Sequence, residues 1–85
     1  MRLLETSKFQ KLRKKLKDED ERDALREAVL RVLEDPESGK KLKGEFRDIR
    51  SLRFSVRGQS RRLIYRLEKS VVVVFSFGPR QGIYE

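Results

Sequence analysis

The sequence predicts an α+β domain of two layers, in which an N-terminal strand and a helical hairpin pack on an antiparallel β-meander. Apolar residues recur at helical spacing in the first half of the chain and alternate with polar residues in the second half. The 85 residues, of which 36% are hydrophobic, suffice for one thin core. We therefore expect a single domain that spans residues 1–85.

The first half predicts a short strand followed by two helices. Leu3 and Leu4 lie in the expected strand, and Ser7 and Gln10 have the spacing of a capping box, in which the serine caps a helix. The acidic run 18–20 is expected to cap the second helix, and Pro36 to end it. The apolar stripes consist of Phe9, Leu12 and Leu16 on the first helix and of Leu25, Ala28, Val29, Val32 and Leu33 on the second.

The second half predicts three strands after a loop at residues 35–44. Leu52, Phe54 and Val56 alternate with polar residues, as in a strand with one buried face. Residues 57–60 and 68–70 are expected to form turns. Residues 71–77 are almost continuously apolar, which favours a central strand covered on both faces. We expect the first strand to lie beside this last one, which needs two neighbours.

Composition restricts the classes of function. The net charge of +8 and the pI near 10.2 favour a polyanionic partner: RNA, DNA, the ribosome or an acidic protein. The absence of cysteine and histidine excludes disulfides, thiolate metal sites and a histidine general base. We expect no cofactor, no metal and no membrane partner, because the sequence has no metal motif and no long apolar segment. The expected location is the cytoplasm.

The face of the sheet away from the helices, here called the open face, is expected to present a cluster of arginines. A guanidinium donates two hydrogen bonds to a phosphate and stays charged. A solvated surface is the alternative for any single arginine, whereas the cluster favours a nucleic-acid surface. The predicted open-face residues are Arg53, Ser55, Arg57, Arg62 and Arg66, and Lys43 and Arg61 complete the predicted RNA-binding set.

Two further residues, Arg80 and Tyr84, follow the last strand directly. Tyr84 has two interpretations. It either covers an edge of the core or places a phenol among arginines, where it serves as a general base in a site without histidine.

The order and spacing of four segments resemble the RelE/ParE superfamily of small toxins from type II toxin–antitoxin pairs. The segments are KKLKG at 40–44, RRLIY at 61–65, the valine strand, and GPRQGIY at 78–84, which is similar to the family's Gly-Lys-Arg-Glu-x-x-Tyr ending. The resemblance covers about residues 3 to 85 and implies the fold predicted above.

The RelE branch of this superfamily enters the ribosomal A site and cuts messenger RNA by attack of a ribose 2′-hydroxyl on the adjacent phosphate. The resemblance implies that Arg62 and Arg80 stabilise the phosphate and that Tyr84 acts as a base or stacks. It also implies the ribosome, messenger RNA and a cognate antitoxin as partners.

The chain departs from the better-known members at three positions. Arg53 and Ser55 stand where those members have two lysines, and Pro79 replaces a common lysine. Two alternatives to ribosome-dependent cleavage therefore stay open. One is a ParE-like toxin that inhibits DNA gyrase without being an enzyme. The other is an RNA-binding relative that has lost catalysis.

Overall fold

The computed structural model describes residues 1–42 and 48–79 and contains two helices on one face of a five-stranded sheet. Within this part of the chain the sheet order is β1-β5-β4-β3-β2. The elements are β1 Arg2–Glu5, α1 Ser7–Lys14, α2 Glu19–Glu34, β2 Lys40–Lys41, β3 Ile49–Val56, β4 Gln59–Glu68 and β5 Val71–Gly78. Neither α1 nor α2 is long and apolar enough to cross a membrane. The predicted α+β class is confirmed.

The residue that caps helix α1 is Thr6. The capping-box spacing had predicted Ser7, and this prediction is wrong. The Thr6 hydroxyl accepts from the backbone N–H of Phe9 at 3.1 Å and donates to the carbonyl of Phe75 at 3.3 Å. The Thr6 backbone N–H also donates to Val74 at 3.1 Å, which continues the pairing of β1 with β5. Sheet pairing therefore keeps Thr6 extended, and the helix begins at the next residue.

Helix α2 follows the sequence closely. Asp18 caps it by accepting from the backbone N–H of Asp20 at 3.0 Å, and the helix ends before Pro36. Leu25, Ala28 and Val32 are buried and share one core with Phe9 and the inner side chains of the sheet. Both helices therefore cover the same face of the sheet.

The segment predicted as a loop contains the short edge strand β2, where Lys40 and Lys41 pair with β3. Two distant side chains hold this segment. The phenol of Tyr65 donates to the carbonyl of Pro36 at 2.7 Å and accepts from the N–H of Gly39 at 2.9 Å. Arg50 donates to the carbonyl of Gly39 at 2.9 Å. Local sequence pattern gives no sign of such contacts, which explains why β2 was missed.

The meander has the predicted faces. Leu52, Phe54 and Val56 are buried against the helices, while Arg53 and Ser55 are exposed on the open face. The register of β3 against β4 is continuous from its first residue to its last. The predicted placement of the first strand is also confirmed, because β1 pairs in parallel with β5.

A β-bulge on β5 divides its side chains between the two faces. Tyr65 pairs with Val74 and Ile64 pairs with Ser76, so Phe75 is the extra residue. The bulge turns Phe77 towards the helices, where its ring meets that of Phe9 edge-on with centroids 5.3 Å apart. The strand is central, as predicted, because β1 and β4 flank it. The two described helices cover one of its faces, and on the other face Phe75 is half-buried while Ser76 is buried.

Candidate nucleic-acid interface

The centre of the open face is a pair of arginines on neighbouring strands. Arg53 on β3 lies directly opposite Arg62 on β4, and Arg62 lies opposite Gly78 on β5. Directly opposed residues have Cβ atoms about 4.5–5.5 Å apart. Within residues 1–42 and 48–79 neither guanidinium forms an ion pair with a carboxylate. In the part of the chain that the structure describes, this arginine pair is therefore a concentration of positive charge without a carboxylate partner.

Arg62 is held in place by a contact with β3. Its guanidinium donates to the hydroxyl of Ser51, which is buried, at 3.3 Å. On its other side it lies opposite Gly78, which has no side chain. A half-buried arginine positioned in this way can donate further hydrogen bonds to a phosphate that enters from the open face.

The next row towards the hairpin turn is uncharged. Ser55 lies opposite Ser60 on the same face, and both are exposed. Their hydroxyls can donate one hydrogen bond each but carry no charge and do not ionise near neutral pH. The described part of the site can therefore bind a phosphate but offers no side chain that readily gives up a proton.

The sequence had predicted Arg57 on the open face, and this prediction is wrong. It occupies the β3–β4 turn with a φ of 49°, and Gly58 follows with a φ of 80°. Its guanidinium pairs with the carboxylates of Asp18 and Asp20, in the latter case at 2.9 Å. Its hydrogen bonds hold the pKa of Asp18 below the ordinary value of an aspartate. The alternation of faces ends at the turn, which explains the error.

Arg61 lies on the helix side of the sheet. It pairs with Phe54 across the strands, its side chain is 17% exposed, and its guanidinium is 4.0 Å from the carboxylate of Glu21. Its assignment to RNA stays a prediction, although this position separates it from the open face. Of the three arginines near the turn, Arg57, Arg61 and Arg62, only Arg62 lies on the open face.

Arg66 lies on the open face as predicted, four residues along β4 from Arg62. It differs from the arginine pair in its surroundings. Its guanidinium pairs with the carboxylate of Glu68 and lies 5.3 Å from the centre of the Phe75 ring. Its charge is therefore already compensated within the sheet.

Lys43, Arg80 and Tyr84 lie outside the described residues, so their assigned roles stay predictions. The chain leaves β5 at Gly78, which is in the same row as the arginine pair. Sequence reasoning missed Ser51, Ser60 and Phe75. Strand alternation from Arg53 and Arg62 was enough to find the two serines, whereas the bulge that exposes Phe75 has no such signal.

Comparison with known proteins gives one family and one fold. A family model described as "ParE-like toxin of type II bacterial toxin-antitoxin system" matches residues 3–85. The isolated E. coli RelE toxin is similar, with 30% identity and a TM-score of 0.73 over 98% of this chain and 89% of the RelE chain. No functionally curated protein matches the sequence significantly.

Two of the similar structures contain an antitoxin. A chain of the intact E. coli RelBE toxin–antitoxin complex has 28% identity and a TM-score of 0.74, with 94% of this chain and 96% of that chain covered. A mutant E. coli RelE in complex with an antitoxin RelBc peptide has 28% identity and a TM-score of 0.73, with coverage of 95% and 84%.

Proposed function

We propose that this chain, which belongs to the ParE-like toxins of type II bacterial toxin–antitoxin systems, inhibits translation by cleaving messenger RNA on the ribosome. The arginine pair, Arg53 opposite Arg62, carries the proposal. Directly opposed like charges destabilise a sheet, and a bound phosphate offsets that repulsion. The fold that this chain shares with E. coli RelE, at 28–30% identity, also supports the proposed activity.

In the proposed reaction the 2′-oxygen of a ribose forms a bond to the adjacent phosphorus. The bond from phosphorus to the 5′-oxygen of the next nucleotide breaks, which leaves a cyclic phosphate and a 5′-hydroxyl. Arg62 and Arg80 stabilise the negative charge that develops on the phosphate oxygens. Tyr84 takes the proton of the attacking hydroxyl.

The departing 5′-oxygen also needs a proton. A guanidinium is a hydrogen-bond donor that does not give up a proton in proteins, so Arg53 can stabilise charge but cannot supply this proton. Ser55 stands at the other position where the better-known members have a lysine. Water is then the source of this proton, and we expect cleavage slower than that of a toxin with a lysine there.

The same substitution favours a second candidate, RNA binding without cleavage. Ser55 is exposed and faces another serine, so the described part of the site lacks an acid. The expected protein partner is the same for both candidates, a cognate antitoxin, as in the complexes that contain E. coli RelE. An acidic segment of that antitoxin would cover the arginine pair.

Primer extension on a defined messenger, with purified protein, tests the proposal. We expect cleavage within the A-site codon when programmed ribosomes are present and none on naked RNA. The variant Arg62→Ala should cut roughly 10²–10³ times more slowly, the usual loss for one transition-state donor. The matched control is Arg2→Ala, which removes the same charge from the open face about 20 Å away, opposite Val71.

Each other outcome has a clear meaning. Binding to ribosomes without any cut supports the second candidate. Normal translation together with blocked DNA replication on expression indicates the gyrase-inhibiting branch and contradicts the proposal.

A further inference from the structure

We propose that Arg66 and Phe75 form a stacking platform for a base of the bound RNA, separate from the phosphate-binding arginine pair. The inference rests on the proposed function, because it takes single-stranded RNA as the ligand. It assigns a distinct task to Arg66, which sequence alone grouped with the other arginines of the open face.

The first observation is that the charge of Arg66 is already compensated. Its guanidinium pairs with Glu68 on the same strand and face, whereas the arginine pair has no described carboxylate partner. A phosphate at Arg66 would meet the repulsion of that carboxylate. Phosphate binding is therefore favoured at Arg62 and disfavoured at Arg66.

The second observation is the position of the guanidinium over an aromatic ring. It lies 5.3 Å from the centre of the Phe75 ring, and the Nε atom of Arg66 is buried without a hydrogen-bond partner among the described residues. The side chain therefore lies against the sheet instead of extending into water, while 38% of its surface stays exposed. Bases stack on aromatic rings and on guanidinium planes of this kind.

The third observation is the apolar surface around the ring. The bulge brings Phe75 to the open face, two residues from Val73, and Val73 lies opposite Leu4 on the edge strand, which is 49% exposed. Such a surface accepts the flat face of any base without selecting its sequence. The half-buried ring and the guanidinium above it then form the stacking platform.

The fourth observation is the distance from the arginine pair. Arg62 and Arg66 are four residues apart on one strand and face, which corresponds to about 13 Å. The row between them contains Ser51, Ile64 and Ser76 and is uncharged. A short single strand can thus place one phosphate at Arg62 and a nearby base over Arg66, and the positive net charge attracts it to this face.

The test uses the full-length protein and a short single-stranded RNA whose riboses carry 2′-O-methyl groups, which removes the attacking hydroxyl. The fluorescent base 2-aminopurine replaces each base in turn, because stacking quenches its emission. We expect quenching at one position near the phosphate contact. Arg66→Ala and Phe75→Leu should abolish this quenching and weaken binding roughly five- to a hundredfold.

Arg66→Lys separates stacking from charge. It keeps the positive charge beside Glu68 but loses the plane, so we expect it to lose the quenching and to bind more weakly than the parent. Binding equal to that of the parent would overturn the platform. So would the absence of quenching at every position with the unaltered protein, a result that needs no variant to fold.

Failure of the platform and failure of the proposed function are distinguishable. If Arg62→Ala weakens binding while Arg66 and Phe75 variants do not, the phosphate site stands and the apolar surface serves another purpose, such as contact with a protein. If Arg62→Ala binds RNA as well as the parent, the assignment of the phosphate site is wrong.

An RNA with one abasic nucleotide at the quenched position is a further control. It has no base to stack there, so it should bind the parent and Phe75→Leu equally.

Discussion

At the scale of single residues, the open face places two like charges opposite each other, which lowers the stability of the sheet. Arg53 and Arg62 face each other without a described carboxylate partner, and Gly78 completes their row without a side chain. A sheet selected for stability alone would place an acid or a threonine opposite an arginine. The repulsion between these two residues is consistent with a site that a polyanion completes.

Arg53→Gln should therefore stabilise the protein while weakening RNA binding. Removing one of two opposed charges should raise the free energy of unfolding by about 0.2–1 kcal/mol at low salt. Urea unfolding at two salt concentrations measures this, and the gain should shrink as salt screens the repulsion. Arg2→Gln, which lowers the net charge equally but faces Val71, should show no such gain. A loss of stability in Arg53→Gln would contradict the interpretation.

Two neighbouring arginines give a second residue-scale prediction. Arg62 lies on the open face and Arg61 on the helix side, next to Glu21. Arg62→Ala should weaken RNA binding strongly, whereas Arg61→Ala should change it little, because successive side chains point to opposite faces. Filter binding at one salt concentration compares them. Equal losses would show that RNA reaches both faces at this end of the sheet.

Residues beyond the last strand give a third prediction. Arg80→Ala should reduce ribosome-dependent cleavage roughly 10²–10³-fold if it is a transition-state donor. Tyr84→Phe should also slow cleavage, because it removes the group that accepts the proton. Primer extension compares both with the parent. Full activity in both variants would exclude them from catalysis.

Sequence was sufficient to find Arg62 and insufficient to place Arg57. Alternation determines the face of each residue in a regular strand, and β3 and the N-terminal part of β4 are regular, so the open-face positions of Arg53, Ser55, Arg62 and Arg66 were predicted correctly. Arg57 lies where alternation ends, and its partners Asp18 and Asp20 are distant in sequence. No local pattern reveals a partner that only the fold brings near.

At the scale of elements, the start of α2 holds the β3–β4 turn. Asp18 caps the helix and also pairs with Arg57, so one side chain joins the helical layer to the hairpin. The turn has two successive residues with positive φ, a conformation that arginine adopts less readily than glycine. The ion pair compensates for placing an arginine there.

Asp18→Asn tests this junction. Asparagine keeps the cap but loses the ion pair, so the variant should be less stable than the parent at neutral pH. Arg57 lowers the pKa of Asp18, so the contribution is fully present above the ordinary carboxylate pKa of about 4 and is lost as the pH falls through the lowered value. Urea unfolding between neutral and strongly acidic pH should show the two proteins converging. A difference that stays constant would exclude the ion pair as its cause.

Tyr65 holds the segment that precedes β2 through hydrogen bonds to Pro36 and Gly39. Tyr65→Phe removes bonds to Pro36 and Gly39 and leaves a backbone N–H without its partner, at a cost of about 1–3 kcal/mol. Burial raises the pKa of this phenol, so the stability of the parent is complete below about pH 10 and falls as the pH rises through the raised value. The variant should lack this alkaline dependence in thermal unfolding. Equal stability of the two proteins would contradict the role of the phenol.

The elements that sequence missed share one cause. Strand β2 and the bulge at Phe75 are set by contacts across the sheet and not by neighbours in the chain. The two helices and the three long strands, by contrast, each carry a periodic pattern of their own. The periodic patterns therefore predicted the elements that have a buried face. They did not predict the edge strand β2 or the β-bulge at Phe75.

At the scale of the whole molecule, a net charge of +8 on 85 residues makes RNA binding depend on salt. The plot of log affinity against log salt should have a slope of about −0.7 for each neutralised phosphate of a single strand. Arg62→Ala should reduce the size of that slope by about 0.7, whereas Phe75→Leu should lower affinity without changing the slope. Titrations at several salt concentrations separate the two. A changed slope in Phe75→Leu would mean that the platform also binds phosphate.

The topology adds a consequence for how the protein is made. The first strand pairs with the last, since Arg2 lies opposite Val71 and Glu5 opposite Val74. Among the described strands β1 is made first and β5 last, so β1 has no partner while the rest of the sheet is made. Pairing between strands that are far apart in the sequence forms slowly, because the long intervening chain must first be ordered. We therefore expect the pairing of β1 with β5 to be among the last contacts of the sheet to form.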